Sequence, residues 1–287
     1  MRSISEDEIS VPIGGENPKV YYRVYGTLNT AVSPLVCVHG IGGNCMDFHY
    51  LASEISDFTI ILIDIPGRGR SDWLKDSSLY NYNTYCRTVL YILRHLGIKR
   101  CNFLGTSMGG IVGMFLASRF PYLIERLVLN DVGPYMAERP LKALIRYLTH
   151  NPTFSDISEV EDYVKSTLAG FGITKKEHWD HVVNYAAIKC PSGYIMSFDP
   201  EVGTALRNEL QDTAPYMDIW NVWNEIFCKI LVLRGEHSNI LTKETLRQML
   251  ASKDSIDHIT YLGTGHAPAL FDENKIADIH SWLISND

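Results

Sequence analysis

The feature that most constrains the fold of this chain is a series of short, unbroken apolar runs separated by segments with helical periodicity. The runs occupy residues 34–38, 58–64, 101–104, 127–129, 230–233 and 256–262. Apolar runs of this length without polar alternation are typical of strands buried on both faces of a parallel sheet. Between them, segments such as 82–96 and 109–119 repeat apolar residues at helical spacing. The alternation predicts an α/β fold, with a mostly parallel sheet and helices on both of its faces.

Two parts of the chain depart from this alternation. Lys19–Tyr25 is rich in β-branched and aromatic residues, which predicts a strand at a sheet edge. Between about Pro134 and Asn221 no run resembles a buried strand. Amphipathic helices are predicted there instead, at residues 140–149, 159–168 and 175–188, with a weaker one near 200–210.

These boundaries predict a core formed by residues 1–134 and 222–287, with a helical insertion at residues 135–221. An insertion between two strands can form a cap over the carboxyl edge of the sheet, where open α/β sheets bind ligands. A separate helical module without a role at the site is the alternative.

Charge and composition narrow the possible functions. The chain has 287 residues, 46% of them hydrophobic, and a formal net charge of −7 with no basic run. Such a chain can bury a large core but is poorly suited to bind nucleic acid or an anionic membrane. Its acidic N-terminal segment lacks the apolar stretch of a signal peptide, and no apolar run approaches the roughly 18 residues of a membrane helix. We expect a small-molecule substrate, with no nucleic-acid or membrane partner; the sequence leaves the oligomeric state open.

The six cysteines are scattered, with no C-x-x-C pair and no histidine at metal-ligand spacing. This pattern predicts reduced thiols in a cytoplasmic protein, and no metal site.

A candidate nucleophile lies in the segment Gly105-Thr-Ser107-Met-Gly109, which matches G-x-S-x-G. An apolar strand leads into it, and a helix rich in small residues follows. A serine on a sharp strand-to-helix turn exposes its oxygen, and glycines two residues away on either side avoid a clash there. The start of the helix also directs free N–H groups towards an oxyanion. We therefore predict that Ser107 is the nucleophile.

The partners of such a serine can be sought at the ends of other strands. Residues 34–38 run into His39-Gly-Ile41, and the N–H groups of Ile41 and Met108 are the candidate oxyanion donors. His39 itself is interpreted as a structural loop residue. The candidate base is His266, because it lies in a glycine-rich loop after the last predicted strand.

Taken together, these residues resemble the α/β-hydrolase superfamily over nearly the whole chain. Residues 64–73 are similar to its D-x-P-G-x-G-x-S-D loop, and residues 127–134 to the exit of the sixth strand in a capped bacterial branch. The resemblance is to capped esterases, thioesterases and carbon–carbon bond hydrolases, and it implies an eight-stranded sheet. Haloalkane dehalogenases and epoxide hydrolases share the plan but use an aspartate nucleophile, which Ser107 argues against.

The position of the triad acid departs from the family pattern. Relatives carry an aspartate after the seventh strand, in a segment like R-G-x-x-S-D, whereas this chain has Asn239 there. An amide cannot stabilise the imidazolium that forms when the serine is deprotonated. Three hypotheses follow: Asp131, after the sixth strand, supplies the acid; Asn239 or Glu236 supports a weakly active base; or the protein has lost hydrolysis and binds a ligand.

The predicted function is hydrolysis of an ester, thioester or related acyl bond of a small, mostly apolar substrate through an acyl-enzyme, without a cofactor. A non-catalytic small-molecule binder is the alternative, and a cofactor-free haloperoxidase or lyase would use similar residues. Apolar residues expected to contact the substrate are Trp73, Tyr135, Met136 and Phe171.

Overall fold

The structure, a computed structural model, describes residues 2–28, 32–212 and 215–285. Its strands, numbered along the chain, are β1 Ile4–Ser10, β2 Lys19–Tyr25, β3 Leu35–Val38, β4 Ile60–Ile63, β5 Cys101–Thr106, β6 Ile124–Asn130, β7 Tyr135–Met136, β8 Thr153–Phe154, β9 Ala187–Cys190, β10 Gly193–Met196, β11 Met217–Asp218, β12 Lys229–Gly235 and β13 Ile256–Tyr261. Its helices are α1 His49–Glu54, α2 Tyr82–His95, α3 Met108–Arg119, α4 Glu138–Thr149, α5 Ile157–Thr167, α6 Lys176–Ala186, α7 Glu201–Asp212, α8 Trp220–Asn224, α9 Lys243–Ser252 and α10 Glu273–Ile284.

Eight strands form one sheet in the order β1-β2-β4-β3-β5-β6-β12-β13. β1 and β2 are antiparallel, β2 is antiparallel to β4, and the remaining pairs are parallel. The carboxyl ends of β3, β5, β6, β12 and β13 therefore meet at one edge. The predicted fold class, an eight-stranded and mostly parallel α/β sheet, is confirmed.

Each face of the sheet is buried under its own layer of helices. On one face, α2 and α3 pack against residues such as Val36 and Phe103; on the other, α1 and α10 pack against their neighbours Cys37 and Leu104. Successive residues of a strand point to opposite faces, so a strand covered on both sides must be apolar at every position. This explains why the strands appear in the sequence as unbroken apolar runs.

The edge of the sheet differs from the prediction. β2 is the second strand, and β1 forms the edge by pairing along the whole length of β2. The side chains of β1 are almost all exposed, so its sequence ISEDEIS carries no apolar signal. Charged side chains on an edge strand also hinder pairing with a second molecule.

Between β6 and β12 the chain forms α4 to α8 and two small antiparallel sheets, β8-β10-β9 and β11-β7. The four helices expected in this region are present, although the helix expected at 175–188 ends at Ala186, where β9 begins. The short strands have no counterpart in the prediction, because segments of two to four partly exposed residues carry no periodic pattern.

All six cysteines are free. In the part of the chain that the structure describes, no helix combines the length and apolarity needed to cross a bilayer.

Candidate active site

Ser107 lies on a strained turn between β5 and α3. Its backbone has φ 51° and ψ −112°, and its N–H donates to the carbonyl of Asn130 on the neighbouring strand at 3.0 Å. A Cβ on Gly105 would lie 2.3 Å from the Gly109 backbone, and a Cβ on Gly109 would lie 2.0 Å from the carbonyl oxygen of Val38. Only glycine fits at these two positions, so the G-x-S-x-G pattern is a direct consequence of the tight turn.

A continuous hydrogen-bonded chain joins Ser107 to an imidazole and a carboxylate. His266 Nε2 lies 3.1 Å from Ser107 Oγ, and His266 Nδ1 lies 2.7 Å from Asp131 Oδ2. With the proton on Nδ1 donated to the carboxylate, Nε2 is free to accept the serine proton. The chain of contacts has the geometry of a nucleophile, a base and an orienting acid.

Asp131 is fully buried at the exit of β6, with φ 58°. Its Oδ1 accepts the Gly235 N–H at 2.9 Å, and its Oδ2 accepts the Ser238 hydroxyl at 2.5 Å and the Ala267 N–H at 3.3 Å in addition to the His266 ring. These donors satisfy the buried carboxylate and hold it in place. The backbone N–H of Asp131 donates to the carbonyl of Leu233 on β12, which fixes the turn to the sheet.

The other two candidates for the acid lie elsewhere. Asn239 has an exposed side chain and makes no hydrogen bond to His266 in the described chain. Glu236 accepts the N–H of Gly263 at 2.9 Å and lies 3.6 Å from the ring of His237. Of the three residues considered, the structure brings Asp131 to the imidazole.

The two candidate oxyanion donors border Ser107. Met108 is the first residue of α3, and both Ile41 and Met108 are buried beside the serine. Within the described residues, neither backbone N–H donates to an acceptor. Both groups are therefore free to donate to a substrate oxygen, with the positive end of the α3 dipole directed at the same point.

Arg68, which sequence reasoning did not single out, is fully buried behind this pair. Its Nε donates to the carbonyl of Ile41 at 3.0 Å, and one Nη lies 3.5 Å from Met108 Sδ. The guanidinium also contacts the Pro66 carbonyl, the hydroxyl and ring of Tyr85, and the ring of Tyr80. Arg68 thus links the two segments that carry the free N–H groups. Its position in the D-x-P-G-x-G-x-S-D loop was visible in the sequence, but its burial was not.

His39 has the structural role that was expected. It is fully buried, its Nδ1 donates to the Gly40 carbonyl at 2.7 Å, and its Nε2 accepts the Ile65 N–H at 3.1 Å. Burial lowers its pKa to about 3, so the ring is neutral. Its two hydrogen bonds connect the loop that follows β3 to the loop that follows β4.

Two cavities meet at Ser107. The outer cavity, of about 380 Å³, is bordered by α4 and α7 and by the exposed residues Glu209, Tyr216 and Asp218. The inner cavity, of about 260 Å³, lies under α5 and α6 and includes His266 in its lining. Ile41 and Leu144 border both. There is therefore free space on both sides of Ser107.

Comparison with known proteins decides the family. A model described as the alpha/beta hydrolase fold matches residues 33–273. The chain belongs to the alpha/beta hydrolase fold family. A 3-hydroxybutyrate-oligomer hydrolase from Cupriavidus necator is 31% identical over 251 residues, which cover 85% of each chain.

Solved structures support the same assignment. A structure from Rickettsia typhi has a TM-score of 0.89 at 33% identity and covers 98% of both chains. An alpha/beta hydrolase from Novosphingobium aromaticivorans has a TM-score of 0.86 at 26% identity and covers 99% of both. The predicted superfamily is confirmed, and the chain is a hydrolase of the alpha/beta fold.

The residues predicted to contact substrate in this hydrolase are divided by the structure. Met136 borders the outer cavity and Phe171 the inner one, where its ring lies edge-on to His266 at 6.4 Å. Trp73 borders neither; it is 38% exposed, in a loop whose neighbouring residue Asp72 is hydrogen-bonded to Lys19. This loop lies against the N-terminal end of β2, which explains why the prediction for Trp73 is not supported.

Tyr135 also lies outside the lining of both cavities. Its ring packs against Tyr216, which does border the outer cavity, at a centroid distance of 5.9 Å. Tyr135 therefore supports a lining residue, and the prediction of direct contact with substrate is not supported in this structure.

Proposed function

We propose that this protein is a serine hydrolase that cleaves a carboxylic ester, or a related acyl bond, through an acyl-enzyme. The observation that carries the proposal is the hydrogen-bonded chain from Ser107 through His266 to Asp131. Ser107 is the nucleophile, His266 the base and Asp131 the acid; the N–H groups of Ile41 and Met108 form the oxyanion hole.

The reaction follows from these positions. His266 Nε2 takes the hydroxyl proton as Ser107 Oγ attacks the carbonyl carbon, and the oxyanion receives the N–H groups of Ile41 and Met108. Collapse of the tetrahedral intermediate breaks the bond to the leaving group, which takes the proton from Nε2. Water then gives a proton to the same nitrogen as its oxygen attacks the acyl carbon. The bond from that carbon to Ser107 Oγ breaks, Oγ takes the proton back from Nε2, and the acid product leaves. Asp131 stabilises the imidazolium in each step.

The positions of the two cavities support a proposal for where the leaving group and the acyl group of the substrate bind. The leaving atom must come within reach of His266 Nε2, and His266 borders only the inner cavity. The leaving group accordingly occupies the inner cavity and the acyl group the outer one. The outer cavity is larger, at about 380 Å³ against about 260 Å³, so it favours longer acyl groups.

A similar relative acts on oligomers of 3-hydroxybutyrate, which are esters. An oligomeric ester has a chain on both sides of each scissile bond, which agrees with a site that has space on both sides. We propose esters of small hydroxylated compounds as the substrate class.

The alternative is a protein that binds a small molecule without turnover, and the specific observation in its favour is Asn239 at the usual acid position. Intact-protein mass spectrometry with a fluorophosphonate probe separates the two. The expected result is one adduct on the wild-type protein and none on Ser107→Ala, with hydrolysis of p-nitrophenyl esters lost in the same variant. A wild-type protein that binds esters but gains no adduct and releases no product would contradict the proposal.

The assignment of the cavities has its own test, with two isomeric esters. Ethyl octanoate has its long chain on the acyl side and octyl acetate on the alcohol side. Narrowing the inner cavity with Ala186→Phe should slow octyl acetate more, and narrowing the outer cavity with Leu206→Trp should slow ethyl octanoate more. The reverse pattern would exchange the two assignments.

A further inference from the structure

The inner cavity has an unusual balance of charge. In the part of the chain that the structure describes, its lining includes no lysine and no arginine. Besides His266 and the phenols of Tyr147 and Tyr163, its titratable group is the carboxyl of Asp47. Most of the other lining residues are apolar, so a charge on this carboxyl would be poorly screened.

Asp47 is the third residue of a short 3-10 turn, residues 45–48, and its side chain reaches back to the start of that turn. Its Oδ2 accepts the backbone N–H of Asn44 at 3.3 Å, while the Asn44 side chain accepts a backbone N–H in return. A Cβ on Gly43 would lie 2.2 Å from Oδ2, so the glycine leaves the space that the carboxyl fills. Oδ1 has no hydrogen-bond donor among the described residues. One oxygen is thus fixed by the turn, and the other is available to a molecule in the cavity.

We propose that Asp47 determines which leaving groups the inner cavity accepts, by excluding those that carry a carboxylate when it is ionised and hydrogen-bonding to them when it is protonated. This inference rests on the proposed function, because it concerns the leaving group of the same reaction. The proposal predicts that, with Asp47 ionised, the enzyme prefers leaving groups without negative charge. A hydroxy acid whose own carboxyl is esterified is one example.

The physical basis is the cost of placing two like charges in one poorly hydrated space. No lysine or arginine of the described lining could neutralise a carboxylate there, so an ionised Asp47 would repel it. A protonated Asp47 can instead donate its O–H to the carboxylate, and two carboxyl groups then share one proton. An uncharged leaving group is affected far less by either state.

Asp47 changes its charge within the range in which the protein can be assayed. Burial raises the pKa of Asp47 to about 7, the Asn44 N–H opposes that rise, and the nearby carboxyl of Asp64 adds to it. The other titratable groups that face it are the Cys45 thiol and the Tyr147 phenol, both with a pKa raised by burial. At neutral pH these two are uncharged. Burial also raises the pKa of Asp64 to about 6, but Asp64 lies outside the lining of the cavity, and its carboxyl accepts the N–H groups of Cys45 and Arg70. Asp47 is therefore the carboxyl in the lining whose titration changes the charge at this end of the cavity.

Two matched substrates test the proposal: 3-(octanoyloxy)butanoic acid, whose leaving group is a carboxylate, and its methyl ester, whose leaving group is neutral. The rate of octanoate release is measured for both between about pH 5.5 and pH 8.5, and the ratio of kcat/KM, acid over methyl ester, is taken at each pH. Any effect of pH that is common to both substrates cancels in this ratio. We expect the ratio to fall by roughly tenfold between pH 6 and pH 8 in the wild-type protein.

The variant Asp47→Asn removes the charge and keeps a side chain of the same shape. The ratio should then be independent of pH and should lie at or above its acid-side value in the wild type. Because the ratio is taken within each protein, a general loss of activity does not affect it. Asp254→Asn, at an exposed position away from the cavity, is the matched control and should retain the wild-type pH dependence.

A ratio that is constant with pH in the wild type, or one that still falls in Asp47→Asn, would overturn the proposal. If Asp47→Asn does not fold, Asp47→Ser keeps an oxygen that can accept the Asn44 N–H and tests the same loss of charge. The methyl ester separates a failure of the proposal about Asp47 from a failure of the proposed function. Its Ser107-dependent cleavage supports the proposed function whatever the ratio does, whereas no cleavage of either ester by the wild type would overturn both.

Discussion

The exits of β6 and β12 are adjacent on the same sheet edge, and each has a residue that could orient His266. At the exit of β6, Asp131 is buried and hydrogen-bonded to the imidazole. At the exit of β12, Asn239 is exposed, while Gly235 and Ser238 from the same segment donate to the carboxylate of Asp131. The segment in which the family pattern places the acid thus holds, by its hydrogen bonds, the carboxylate that we propose as the acid.

The difference shows what a triad acid requires. The nucleophile needs a particular backbone conformation, which only a specific local sequence provides. The acid needs only to reach one nitrogen of the imidazole with a buried, satisfied carboxylate. Two neighbouring parallel strands end close enough together for either of them to meet that requirement.

The strongest test of this comparison is to remove each candidate side chain in turn. Asp131→Asn should lower kcat on an activated ester by about three to four orders of magnitude, because the imidazolium loses its counter-charge. Asn239→Ala should change kcat by less than about twofold, since the removed side chain is exposed. Steady-state kinetics with p-nitrophenyl esters measures both. Equal small effects would remove Asp131 from the mechanism.

Moving the carboxylate from the exit of β6 to the exit of β12 tests directly whether the two positions are equivalent. In the double variant Asp131→Asn, Asn239→Asp, the new carboxylate would start from an exposed position without a hydrogen bond to His266. We expect recovery of less than about tenfold of the lost kcat. Full recovery would mean that the β12 exit can serve as well as the β6 exit.

The next effect concerns the backbone contact between the β12 exit and the loop of His266. A Cβ at residue 235 would lie 1.8 Å from the carbonyl oxygen of Gly265. Gly235→Ala should therefore cost about 3 kcal/mol in the free energy of unfolding, measured by urea denaturation, because neither backbone can move freely. The control is Gly170→Ala, where the nearest heavy atom to an added Cβ is 3.8 Å away. Similar stability of the two variants would show that the loop is more adaptable than its contacts indicate.

A smaller effect is expected from the hydroxyl that supports the acid. Ser238→Ala removes the 2.5 Å hydrogen bond to Asp131 Oδ2. Since a hydrogen bond to a charged group contributes about 1.5–3 kcal/mol, kcat/KM should fall by roughly tenfold. Ser255→Ala, at an exposed position, is the control and should have no effect. An unchanged kcat/KM in Ser238→Ala would show that Asp131 is held adequately by its backbone donors.

The smallest effect is on the free energy of unfolding at acid pH. Measuring it distinguishes a loss of activity caused by the proposed triad from a loss of activity caused by unfolding. His49 of α1 stacks on His181 of α6 at a centroid distance of 5.1 Å, and burial lowers the pKa of His49 to about 4. The unfolded chain, in which the pKa of this ring is near 6.5, binds its proton more tightly. Stability is therefore present above about pH 6.5 and is lost as the pH falls towards 4.

Urea midpoints at pH 7.5 and pH 5 measure this loss. The drop should be smaller in His49→Gln, which cannot titrate, and unchanged in His258→Gln, whose side chain is exposed. An equal drop in all three proteins would place the acid-sensitive groups elsewhere, with the stacked ring of His181, whose pKa is also lowered by burial, as the first candidate.

The sequence predicts those features that are determined by a short stretch of neighbouring residues. Strands such as β3 and β5 were visible because both of their faces are buried, which requires continuous apolar residues. Ser107 and His266 were visible because each occupies a characteristic local turn. The polar edge strand β1 was missed, since exposure on both faces leaves no apolar pattern.

Contacts between residues that are far apart in the chain could not be predicted from the sequence. The contact between His266 and Asp131 joins residues 135 positions apart, and three candidates for the acid stayed open until their distances were known. The burial of Arg68 was not foreseen because its contacts come from several distant segments. A large apolar residue in a loop, such as Trp73, suggests a ligand contact, but this loop lies against β2 instead.

The hydrogen bonds of Asp131 to Gly235 and Ser238 span 104 and 107 residues, and they close the long excursion between β6 and β12 at its base. The entropic cost of closing a loop grows only slowly with its length. Once the ends are fastened, the intervening segment can therefore be lengthened, shortened or exchanged at little thermodynamic cost. In the proposed mechanism the same carboxylate also orients the base. We therefore expect that a chimera that keeps this junction can exchange the segment between β6 and β12, and with it the selectivity, while the proposed triad stays in place.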